Sequence, residues 1–173
     1  MDRRNAVKKI IIASGSLITL PFWMTGCSDG DSSTHLSSFS PSEQEILASI
    51  TDTIIPAGNA IGALSVGVDK FLQKIIDDCQ EKPVQENVKK QLNALEKSAE
   101  KVHGMSFAQC NQLQRQEILL KLSVSADKAE KDFFTLMRSE TIRGFNTSQV
   151  VMEKYLNYKV APGHYYGCVD QKV

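Results

Sequence analysis

The stretch between Pro83 and Gly104 most constrains what this chain can fold into. Val84, Val88, Leu92, Leu95, Ala99 and Val102 recur three or four positions apart within it. That spacing lines them along one stripe of an α-helix, because helical side chains share a face every 3.6 residues. Pro83 fits a helix start and Gly104 a helix stop. A long helix with a single apolar stripe must bury it against other elements. The rest of the chain supplies shorter pieces of the same kind.

Ser40, Pro41 and Glu43 form a capping-box signature, with the proline at the first helical position. Ile46, Leu47, Ile50 and Ile54 then share a face, and Pro56 stops the helix. A Gly-rich connection, AGNAIGALSVG, leads to a second helix from about Val66 to Cys79, with Val68, Phe71, Leu72, Ile75, Ile76 and Cys79 on one stripe. Asn111 and Gln114 cap a fourth helix carrying Ile118, Leu119 and Leu122. Asp127 and Glu130 cap a fifth, with Phe133, Phe134, Met137 and Ile142 before Gly144. Thr147 opens a short sixth through Tyr155 and Leu156. The tail YKVAPGHYYGCVDQKV has a Pro-Gly pair and no helical period. No segment alternates as a strand does. The expectation is an all-α fold: a single compact domain of about six short helices, residues 42–173, around one core.

With 173 residues there is room for one such core. The formal net charge is zero, so bulk electrostatics gives no case for nucleic-acid binding. The first 27 residues carry Arg3, Arg4, Lys8 and Lys9 against Asp2 alone. Without them 16 basic and 19 acidic residues remain, a mildly acidic domain.

Those first residues read as an address. A basic head precedes an apolar run from Ile10 to about Met24, shorter than the roughly 20 residues of a comfortable membrane span. Gly15 and Pro21 also disfavour an uncleaved anchor helix. Basic head, apolar middle and small residues before a cut site make a secretory signal over residues 1–26. Arg3 and Arg4, followed by Asn5-Ala6-Val7-Lys8, resemble the twin-arginine (Tat) signal of the exporter of folded proteins. Met24-Thr25-Gly26-Cys27 resembles a bacterial lipobox, with Met24 where leucine is usual. In that motif the cysteine becomes a lipidated N-terminus. Each buried methylene of its acyl chains is worth about 0.8 kcal/mol, so several chains hold a protein to a bilayer. The competing reading of Cys27 is an ordinary thiol near a cut site. Residues 27–41, rich in Ser, Asp and Gly, read as a flexible tether. The expected location is the cell envelope, as an exported lipoprotein facing the periplasm or the cell surface.

Motifs for chemistry are missing. There is no dinucleotide-binding glycine motif, no P-loop, no Cys-x-x-Cys-His and no His-Glu-x-x-His. His35, His103 and His164 are scattered and read as solvated. Asp77 and Asp78 read as the solvated end of a helix, because neighbours on a helix point about 100° apart. Asp69 favours the dipole of a helix start. No catalytic, cofactor-binding or metal-ligating residue is assigned.

Setting Cys27 aside leaves Cys79, Cys110 and Cys168, of which only one pair can bridge. An exported compartment permits disulfides. A Cys79–Cys168 bridge would staple the helix-free tail, and its loop of roughly ninety residues would be worth about 4–5 kcal/mol by loop entropy. Cys110 is then a shielded free thiol. Three reduced thiols are the alternative.

Three segments in order resemble the gluconate 2-dehydrogenase subunit 3 family, the small subunits of membrane-associated flavoprotein dehydrogenases. They are DRRNAVKK, TDTIIPAGNAIGALSVGVDKFLQKIIDDC and FFTLMRSETIRGFNTSQVVMEKYLNYKVAPGHYYGC. The resemblance implies a chain that is no enzyme on its own. Its large-subunit partner would hold FAD and oxidise a sugar or sugar acid, a cytochrome subunit would often pass electrons on, and this chain would carry the folded flavoprotein out and help it mature. Within the domain, the Gly-rich loop with Gly62 and Gly67 and the aromatic segment with Tyr155, Tyr158, Tyr165 and Tyr166 suit the partner contact. The competing reading has those tyrosines covering the domain's own core. The alternative function is a free-standing helical lipoprotein that binds another partner or ligand in the cell envelope.

Overall fold

A computed structural model describes residues 36–161, 163, 167 and 168. Arg3, Arg4, Cys27, His35, His164, Tyr165 and Tyr166 lie outside the described residues. Among those described there are helices, turns and loops and no strand, as the helical periodicity requires.

Helix α1 runs Pro41–Ile54. The Ser40 hydroxyl accepts from the Glu43 amide, and the Glu43 carboxylate accepts from the Ser40 amide at 2.8 Å, closing the expected capping box. The tether ends earlier than expected. The Ser38 amide donates to Asp77 Oδ2 at 3.0 Å, Lys89 Nζ donates to the Ser38 carbonyl at 3.0 Å, and Phe39 is buried with the Lys89 ammonium 5.4 Å from its ring centroid. Phe39 is an apolar anchor inside what otherwise reads as linker. Asp77, expected to be solvated, holds the neighbouring Ser38 through its amide and hydroxyl.

The second helix is shorter and less regular than its sequence period. A 3-10 turn, Leu64–Val66, is followed by Gly67 at φ 71°, then by α2, Val68–Lys74, whose last turn widens into a π turn, Ile75–Cys79. A π turn leaves carbonyls poorly served by the helix's own amides. The Gln85 side-chain amide donates to the Asp77 and Gln80 carbonyls, at 3.0 and 2.9 Å, and so supplies what the turn lacks.

Helix α3 spans Lys82–His103, and Gly104 ends it at φ 70°. Val88, Leu92, Leu95 and Ala99 of its stripe are buried, whereas Val102 at its exit is exposed. A 3-10 turn, Phe107–Gln109, leads to α4, Gln112–Ser123, with its capping box made by Asn111 and Gln114. Helix α5 spans Lys128–Asn146, and Asp127 accepts from the Ala129 amide at 2.8 Å. It continues through Gly144 rather than stopping there. Its buried line is Phe133, Met137, Thr141 and Gly144, and Ile142 is exposed. Thr147 does not open the next helix. It closes α5, bonding the Arg143 carbonyl through amide and hydroxyl, and α6, Gln149–Lys154, starts after Ser148.

Helices α1 and α5 hold the middle. α1 packs on α2, α3, α4 and α5, while α5 packs on α1 to α4 and on α6. Leu47, Ile50, Leu72, Ile76, Leu92, Phe107, Phe133 and Met137 fill the space between them. No helix among the described residues is long and apolar enough to cross a membrane.

Candidate partner interface

The Gly-rich loop is built to turn tightly. The Ala63 amide donates back to the Ile55 carbonyl at 2.9 Å, and Gly58 donates to Ala60 at 3.1 Å. Gly62 is buried, and a Cβ there would stand 2.5 Å from the Ala57 backbone nitrogen. Gly67 takes the left-handed conformation that glycine adopts without cost. Both glycines therefore shape the loop, and neither offers a side chain to a partner.

One contact brings this loop to the same end of the bundle as α6. Phe71 lies one turn after Gly67 and packs onto Gly144, three residues before Thr147. The Arg143 guanidinium stands 5.7 Å from the Phe71 ring centroid and pairs with Glu140 at 2.6 Å. From this junction α6 projects. Val151 is buried, and the chain then doubles back: Leu156 donates to the Val151 carbonyl at 3.1 Å and Tyr158 to that of Met152 at 2.9 Å. Asn157, at φ 50°, takes the left-handed corner that asparagine tolerates.

This turn faces outward. Tyr155 is 55% exposed and Tyr158 52%, and Leu156 and Val160 are exposed beside them. A cavity of about 600 Å³ lies among Thr147, Met152, Asn157, Tyr158, Lys159 and Val160. Gln149 and Glu153 also line the cavity, so its wall is mixed, with Met152, Tyr158 and Val160 supplying the apolar part. Tyr155 and Tyr158 are about half open to solvent, and neither belongs to the buried core. Tyr165 and Tyr166 are outside the described residues.

Elsewhere the polar groups are structural. Arg115 on α4 pairs with Asp52 on α1 at 2.9 Å and reaches the Gln112 amide oxygen at 3.1 Å, while the Gln112 amide nitrogen donates to the Thr53 carbonyl at 3.2 Å. The two helices are latched end to end. His103 is not the solvated side chain its position suggests, since its Nε2 is buried without a protein partner. Among the described residues no group of three or more His, Cys, Asp or Glu side chains stands ready for a metal ion.

The expected Cys79–Cys168 bridge is not formed. Both thiols are free and exposed. Among the described residues beyond Val151 no side chain is fully buried, so this part of the tail is not anchored in the core. Cys110 is the shielded free thiol expected. Burial raises its pKa, the Glu96 carboxylate adds to the rise, and Arg115 opposes it.

The model of one protein family, described as gluconate 2-dehydrogenase subunit 3, matches residues 41–163, from the first residue of α1 to the end of the described tail turn. No curated protein and no solved structure gives a significant match.

Proposed function

The chain belongs to the gluconate 2-dehydrogenase subunit 3 family, and on that premise we propose that it is a non-catalytic small subunit serving a FAD-dependent sugar or sugar-acid dehydrogenase. In this reading it carries the folded catalytic subunit across the membrane, helps it mature and holds it at the membrane surface. The observation that carries the proposal is the family match over the whole helical domain, preceded in the sequence by an export and lipidation address. Physical logic joins the two. A flavin must be bound in a folded subunit before export, and a folded cargo needs the exporter that a paired-arginine head addresses.

Each part of the chain then has one job. Arg3 and Arg4 address the exporter, and Cys27 becomes the lipidated end. Only about ten residues separate it from Ser38, where the chain docks on Asp77, so the tether between anchor and domain is short. The α6 end, with Tyr155 and Tyr158, receives the catalytic subunit, and a cytochrome subunit completes the electron path.

Purification of the full chain from detergent-solubilised membranes tests this. The expected result is a co-purifying flavoprotein that brings FAD absorbance and sugar or sugar-acid oxidation with it. A chain that purifies alone sinks the proposal and favours a free-standing lipoprotein. Mass spectrometry of the same sample should find diacylated Cys27 at the N-terminus. A chain starting at Ser28, or retaining Met1, removes the anchor.

A further inference from the structure

We draw no further inference here: the strongest candidate, the cavity of about 720 Å³ between the first turns of α3 and α5 that Val84, Val88, Phe133 and Leu136 line together with Asp127 and Asp132, is an apolar groove, and nothing in the structure shows what covers it.

Discussion

Gly144 shows how one residue type carries opposite meanings. In a sequence a glycine late in a helical run reads as a stop signal. Here it sits inside α5 because the Phe71 ring occupies the place of a side chain: a Cβ at 144 would lie 2.5 Å from Phe71 Cδ1. Alanine is the better helix former by about 1 kcal/mol, but overpacking of this kind costs about 1–3 kcal/mol. Gly144→Ala should therefore lower the unfolding free energy in urea, by up to about 2 kcal/mol, with the sign opposite to that at an open helical glycine. Cys110 makes a second point at this scale. Its folded pKa is raised, first by burial and then by Glu96, so the folded chain keeps the thiol proton more tightly than the unfolded chain does. The stabilisation is fully present below the unfolded thiol pKa and is lost as pH rises through the folded value. A Cys110→Ala variant should accordingly show a shallower fall in stability across the alkaline range. At neutral pH a thiol reagent should modify Cys79 and Cys168 quickly and Cys110 only slowly, since the first two are exposed and the third buried. Equal rates at all three would contradict the burial.

Among the elements, the boundaries marked by capping boxes, proline or glycine at Ser40, Pro56, Gly104 and Asn111 were legible, and those at Gly144 and Thr147 were not. Ser40 and Asn111 cap as their spacing to Glu43 and Gln114 says they should, because the capping box is a local bond between residues three apart. Asp127 caps through Ala129, without the expected return bond from Glu130. The π turn at Ile75–Cys79 had no readable signal. The side chain that supports it, Gln85, lies in the next helix and meets it only once the two are folded together. The latch between α1 and α4 is likewise invisible, since Asp52 and Arg115 are far apart in the chain. Arg115 is largely covered, and its Nε is buried without a partner. Removing the guanidinium leaves the Asp52 carboxylate without its charged partner, while the Ser49 carbonyl keeps its bond from the Thr53 hydroxyl. Arg115→Ala is expected to cost roughly 1.5–3 kcal/mol, the range for hydrogen bonds to charged groups, read from a denaturant midpoint. A loss below about 0.5 kcal/mol would make the latch an ordinary surface pair.

For the whole molecule, organisation follows from two central helices, α1 and α5, that touch most of the others. The interface surfaces are what remains after that core has closed. The proposed carrier role makes a prediction at this scale. Replacing Arg3 and Arg4 by lysines should leave both this chain and the catalytic subunit in the cytoplasm, measured by fractionation and immunoblotting. Export of the catalytic subunit in that strain would refute the carrier role, whatever becomes of the small subunit.

Sequence alone determined the class of fold, the position of most helices and the family. These rest on short-range physics: apolar residues three and four apart, caps made within one turn, and motifs in a fixed order along the chain. Only the tertiary structure decided which glycines bend and which make room, that Phe39 and Ser38 belong to the domain, and that Cys79 and Cys168 are free thiols. It also decided which apolar residues remain outside. Leu113 and Leu120 are leucines like Leu119, and residue type alone does not say which of them the fold covers. Packing does so, because α1, α3 and α5 together cover one side of α4 and leave the other open.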